Sequence, residues 1–281
     1  MKHNFCQYVK GATDDAGTES LRLYLPDDSG HINYNIVHSV SPARRCDTWR
    51  LSVVYLCDGQ RARVRPLTRA GAEWEMALKI KERPDFIGGF AHGDERLDGI
   101  VLTLDGEQNN VEELCQAVSF DRLTLEVWSC GYDPSNTDVK TLSHYKKIIA
   151  DSNGIRVEQR VEWLGDYELG RSYMAMFAPL KSETDSYYTA SDSQQKPIGE
   201  NAGISSYDSA GKLYLTGKNG IEFCLKVDKY LSDPERGHEF LISDNGGVPY
   251  NKMYFALCHN GEVKTGDVWE TVTVYSIKKK S

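Results

Sequence analysis

Apolar and polar residues alternate along most of this chain in short runs, among them "SLRLYL" (20–25), "INYNIVHSV" (32–40), "TWRLSVVYLC" (48–57), "RLTLEVWSC" (122–130), "GIRVEQRVEWL" (154–164) and "WETVTVYSI" (269–277). Gly, Asp, Asn and Pro separate them. A period of two sends successive side chains to opposite faces of a strand. Fourteen such runs therefore predict an all-β fold, a β-sandwich or jelly roll of about 12–14 strands. The segment "NNVEELCQAV" (109–118) has the other period. Val111, Leu114, Cys115 and Val118 share one helical face, Asn110 is placed to cap, and Glu112 and Glu113 suit a first turn. It predicts one short helix at most. The polar stretch 181–212 reads as a long surface loop, and residues 1–281 as a single domain.

Composition narrows the function classes. The chain has 281 residues, 40% of them hydrophobic, so it can bury a sizeable core. A net charge of −8 argues against nucleic acid as a partner. No run has the apolar length of a membrane helix. The opening "MKHNFCQYVKGATDDAG" lacks the apolar core of a signal peptide. The expectation is a protein cytoplasmic as synthesised, a mature fragment of a secreted one, or a virion component. The seven cysteines (Cys6, Cys46, Cys57, Cys115, Cys130, Cys224, Cys258) are odd in number, form no CxxC pair and sit mostly in apolar strand contexts. They read as free thiols rather than disulfides or zinc ligands, and no cofactor or metal is expected.

The candidate chemistry starts at "DFIGGFAHGDERLDG" (85–99), where Gly88, Gly89 and Gly93 surround His92, Asp94 and Glu95. Three readings compete. The first is a tight turn that needs glycine. The second is a catalytic or substrate-binding loop with His92 as acid or base. The third is a metal site from His92, Asp94 and Glu95, which lacks a second histidine. The loop is longer than a plain hairpin needs, which favours the second.

In "GIRVEQRVEWL", Arg156, Glu158, Arg160 and Glu162 share a face, either a solvated one with cross-strand ion pairs or the floor of a groove. "LSHYKKIIA" (142–150) puts His144 and Lys146 on one face, and the turn "DSNG" is expected to bring them near Glu158 and Arg160 in a register yet to be fixed. Later strands present Tyr173, Lys252 and Tyr254. Exposed aromatic rings and arginines suit sugars, because rings stack on apolar sugar faces while charged groups hold hydroxyls and carboxylates.

A many-stranded sheet carrying His, Arg, Lys and Tyr resembles the jelly-roll polysaccharide lyases, and more broadly the concanavalin-like carbohydrate-active folds, over Trp74 to Tyr275. The resemblance is at the level of fold and brings no lyase motif set. It implies β-elimination on an acidic, uronate-containing polysaccharide. Arg160 would neutralise the carboxylate, His92 or His144 would remove the proton, and Tyr173 or Tyr254 would protonate the leaving oxygen. Glu95, Lys146, Glu158 and Lys252 would contact substrate. Glycoside hydrolysis is the neighbouring reaction, with Glu95 and Glu158 as its carboxylate pair. The alternative is a non-catalytic carbohydrate-binding or structural β-sandwich module, such as a virion host-recognition protein. Space decides between them: His92, His144, Arg160 and a tyrosine must converge for an enzyme.

Overall fold

A computed structural model describes residues 3–11, 17–28, 30–71, 74–199, 203–207, 211–231, 238–244 and 246–279. The protein is all-β and sandwich-like, with sixteen strands in one large sheet. A second sheet of four strands, Ser172–Phe177, Lys252–Cys258, Glu239–Asp244 and Gly203–Tyr207, carries Phe177, Phe240 and Phe255 into the same core. Trp74, Phe177 and Tyr275 meet there, with Trp74 ring centroids 4.6 and 5.1 Å from the other two. The Tyr275 hydroxyl donates to the Trp74 carbonyl at 2.6 Å, so the buried phenol keeps a partner. No helix among the described residues is long and apolar enough to cross a membrane.

The centre of the large sheet follows the alternation. Asn136–Asp151 and Gly154–Trp163 form a hairpin in which His144 faces Val161 and Lys146 faces Gln159. Val157, Gln159, Val161 and Trp163 are buried, while Arg156, Glu158, Arg160 and Glu162 stand on the outer face. Glu95–Leu104 joins Cys46–Cys57 through a single parallel bridge, Asp47 to Arg96.

The N-terminal part of this sheet curls back on itself. The far-edge strand Val118–Phe120 pairs with Asn4–Lys10, yet its chain runs within three residues into Leu123–Asp133 near the sheet's middle. Asp105 ties the closure, because its carboxylate accepts the amides of Asp121 and Arg122 at 2.9 and 2.7 Å.

Three segments differ from the pattern-based reading. The run 73–80 is not a regular strand over its described residues. It makes isolated bridges from Ala77 to Tyr173, Leu78 to Ile87 and Ile80 to Leu169. Trp74, Met76, Ala77 and Leu78 are buried, so burial rather than a continuous ladder explains its apolar character. The segment 181–212 contains the strands Ser186–Thr189, Lys196–Pro197 and Gly203–Tyr207 and is not a bare loop. It crosses from the large sheet to the small one, since Ser186–Thr189 pairs with Lys212–Thr216 and Gly203–Tyr207 with Glu239–Asp244; residues 200–202 and 208–210 lie outside the described ones. The expected helix at 109–118 is a 3-10 turn, Val111–Leu114, and Asn110 caps it by accepting the Glu112 amide at 3.2 Å.

All seven cysteines are free, and only Cys115 is exposed. Burial pushes the Cys6 and Cys46 thiols up to about 12 and those of Cys57 and Cys224 to about 11, which suppresses the reactive thiolate. In the native protein, a thiol reagent at neutral pH should therefore modify about one cysteine rapidly. In denaturant without reductant all seven should react, and recovery of only one thiol would reveal three disulfides.

Candidate functional site

The glycines of the 85–99 loop answer to backbone proximity. Gly89–His92 form one helical turn, with Gly88, Gly89 and Gly93 at positive φ. The Gly88 amide donates to the Gly93 carbonyl at 3.0 Å and closes the loop. A Cβ at Gly88 would meet the Met76 carbonyl oxygen at 2.9 Å. One at Gly93 would meet the Arg44 carbonyl carbon at 2.9 Å and its oxygen closer still.

The three ionisable residues of the turn point apart. Asp94 is buried and takes a bidentate grip from Arg45, Nε at 2.5 Å and Nη2 at 2.9 Å. His92 Nδ1 pairs with Asp85 at 2.9 Å near the surface. Glu95 is 1% exposed and turns inward. Its Oε2 accepts the Gly89 amide at 2.9 Å, and its Oε1 accepts from Ser129 Oγ at 2.7 Å and meets His144 Nδ1 at 3.1 Å. Burial alone would raise its pKa. The hydrogen bond from His144, the charge of Lys146 and the Gly89 amide outweigh that and hold the carboxyl well below its usual range. No group of three metal-ligating side chains converges among the described residues, here or elsewhere.

The expected site residues fall in three places. Glu95, His144 and Lys146 belong to a sealed interior network. Lys146 Nζ pairs with buried Glu75 at 3.4 Å, and Glu75 in turn accepts the Leu51 amide at 2.8 Å. Arg160 and Glu158 lie on the outer face, paired with Glu162 at 2.8 Å and Arg156 at 3.0 Å. The hairpin therefore does not bring His144 and Lys146 to that charged face. Directly opposed residues share a face, and Tyr145 and Lys147 are the ones opposite Arg160 and Glu158. Glu95 is likewise sealed inside while Glu158 stands on the outer face, so the two do not face a common groove.

The third group does assemble, as a row of rings. His92 stands 4.9 Å from Phe86, Phe86 6.1 Å from Tyr173, and Tyr173 4.5 Å from Tyr254. Lys79 Nζ lies 5.5 Å from the Phe86 centroid and Lys252 Nζ 5.1 Å from that of Tyr254. Ala77, Met176, Leu241 and Ala256 pack beneath as a small apolar cluster. Phe86 and Tyr254 are half-buried, so each keeps part of its ring open. Next to the row, against Phe90 and Ala91 of the Gly89–His92 turn, lies a cleft of about 300 Å³ lined also by Arg44, Arg69, Tyr250 and Lys252. Phe90 is flanked by Arg44 and Arg50, whose guanidinium carbons lie 5.0 and 5.2 Å from its centroid. No carboxylate lines this cleft among the described residues.

Sequence reasoning reached His92, Tyr173, Lys252 and Tyr254 but missed Arg44, Arg69 and Phe90. The phenylalanine inside "GGFAHG" was a usable signal, because a large apolar residue in a glycine turn needs a surface to cover. The two arginines come from separate turns and carried none.

No protein-family model matches the chain, and no curated protein is similar to it in sequence. Solved structures are similar to it in shape. The galactosidase domain of alpha-galactosidase-sucrose kinase AgaSK superposes with a TM-score of 0.54 at 9% identity, over 92% of this chain and 40% of that one. An alpha-galactosidase from Geobacillus stearothermophilus in complex with raffinose gives 0.48 at 12% identity, over 97% and 41%. The heparan sulfate lyase HepC from Pedobacter heparinus, as a mutant, gives 0.45 at 10%, over 95% and 36%. The chain thus spans well under half of each of these proteins. Its fold also occurs within a carbohydrate-active protein.

Proposed function

We propose that this chain is a carbohydrate-binding β-sandwich module that holds an acidic polysaccharide across the ring row and the basic cleft. One observation carries the reading. A chain with net charge −8 lines a cleft with three cations and no described carboxylate, directly beside half-open aromatic rings. Sugar rings would lie on Tyr254 and Phe86, and Arg44, Arg69 and Lys252 would meet carboxylate or sulfate groups along the chain. The fold shared with part of AgaSK supports a sugar ligand in a general way.

Binding is favoured over β-elimination because elimination needs a neutraliser, a base and an acid around one sugar carbon. His144 is sealed inside and Arg160 is outside, which leaves His92 with Phe86 between it and Tyr173.

Calorimetric titration with an oligogalacturonate should give saturable binding that weakens as salt rises. Tyr254→Ala and Arg69→Ala should each weaken it by about tenfold, with melting unchanged within a few degrees. Unsaturated product, followed by absorbance, should not accumulate. Product formation by wild type, abolished in His92→Ala, would restore the lyase reading. Absence of both binding and product would end the proposal.

A further inference from the structure

The largest cleft described lies elsewhere, in the mouth of the curled N-terminal sheet. It encloses about 850 Å³. Such mouths combine an apolar wall with a few fixed polar groups, the usual build of a small-ligand site.

The wall is Leu97, Ile100 and Val101, all half-buried, on the strand Glu95–Leu104. The floor is a hydrogen-bonded chain of Tyr8, Glu19 and His38, which Asp47 anchors from outside the lining. Tyr8 donates its hydroxyl to Glu19. Glu19 Oε1 meets His38 Nδ1 at 2.7 Å, and His38 Nε2 meets Asp47 at 2.7 Å. The His38 ring lies flat on buried Trp49, 5.1 Å between centroids and 4° from parallel. Carboxylate oxygens accept, so the imidazole is fixed in orientation with one carboxylate at each ring nitrogen. Burial and the bond to Glu19 push the Tyr8 phenol well up, so it stays a neutral donor. Glu19 places a carboxylate in the floor itself.

The rim adds Glu112 and Glu113, both exposed and held beside the cleft by the Asn110-capped turn. Neither has a cation within ion-pair distance among the described residues, and no described Lys or Arg lines the cleft. The site is therefore acceptor-rich, negative and apolar on one wall. It is the electrostatic opposite of the Arg44–Arg69–Lys252 cleft.

From this charge pattern we infer that the N-terminal cleft is a second binding site, built for a small cationic ligand with an apolar face and hydroxyl donors, the chemistry of an amino sugar. Its ammonium would sit at Glu112 and Glu113, its hydroxyls at Gln108 and Asn109, and its apolar face on Leu97 and Ile100. The site is independent of the anion-binding reading, because it shares no lining residue with that cleft.

Titration at fixed ionic strength with a glucosamine tetramer, its N-acetylated counterpart and an oligogalacturonate tests it. The amine-bearing tetramer should bind about tenfold or more tighter than the acetylated one, and the uronate should not compete for the site. Glu112→Gln with Glu113→Gln should remove that preference without lowering the melting temperature, since both side chains are solvent-exposed. A control removes the same number of charges far away, at exposed Glu168 and Glu262, each to Gln. It should leave the preference intact. Equal losses in the two double variants would mean that the amine senses only overall charge and would overturn the inference. So would equal binding of the acetylated and free-amine tetramers, or binding of neither. Tyr254→Ala should leave amine binding unchanged while weakening uronate binding, so the two sites stand or fall separately.

Discussion

Glu95→Ala should lower the unfolding free energy by about 3–5 kcal/mol, read from urea denaturation at neutral pH. That is a large share of the ~5–15 kcal/mol that holds a domain together. The reason is what the carboxylate satisfies. It accepts from the Gly89 amide, the Ser129 hydroxyl and His144, all without access to water. Truncation leaves these donors unpaired and leaves Lys146 with less compensating negative charge. The same change frees the backbone of the Gly89–His92 turn, so uronate binding should fall with stability. Acid should act through the same group. Its folded pKa is depressed below the ordinary value of 4.5, so the unfolded chain binds its proton more readily. The stabilisation is complete above that unfolded value and is lost progressively as pH falls below it, towards the folded pKa. Wild type should therefore lose stability more steeply below about pH 4.5 than Glu95→Gln, which has no proton to take up. A loss under about 1 kcal/mol for Glu95→Ala, or parallel acid profiles, would show that the carboxylate does not pin the turn.

Much of this architecture is legible in the alternation of the sequence, and the exceptions have identifiable causes. The faces of "GIRVEQRVEWL" follow from period two alone, and Val157, Gln159, Val161 and Trp163 do point inward. The 85–99 loop stands out because glycine clusters mark unusual backbone. What alternation does not convey is depth. Glu95 reads as a loop acid, yet it is the buried first residue of a strand, and an irregularity in pairing between Leu97 and Gly99 breaks the parity that would have revealed it. Cross-strand partners between distant segments are equally hidden. Tyr173 and Tyr254 approach through a register that itself shifts twice. His38 passes unnoticed in "INYNIVHSV" until pairing sets it opposite Glu19. A lone strand histidine carries no signal by itself; the two carboxylates that hold it come from neighbouring strands.

Gly93→Ala should be nearly as damaging, at about 2–5 kcal/mol in the same denaturation experiment. Two costs add. Gly93 has φ of 84°, where an L side chain is strained by about 1–2 kcal/mol. Its new Cβ would also overlap the Arg44 carbonyl, a backbone group held in place because the Asp94 amide donates to it at 3.0 Å. Overpacking against a fixed neighbour adds about 1–3 kcal/mol. Relief requires the turn to move away from Arg44, and the turn carries Phe90 and Ala91 of the basic cleft. Uronate affinity should fall with stability. His92→Ala gives the contrast: its ring is partly exposed and bonds only Asp85 at the surface, so stability should change by under about 1 kcal/mol. Any loss of sugar binding in that variant would then report ring contact with the ligand, separate from loop architecture. If Gly93→Ala melts like wild type and binds as well, the close approach to Arg44 is dispensable and the glycines of this loop need another explanation.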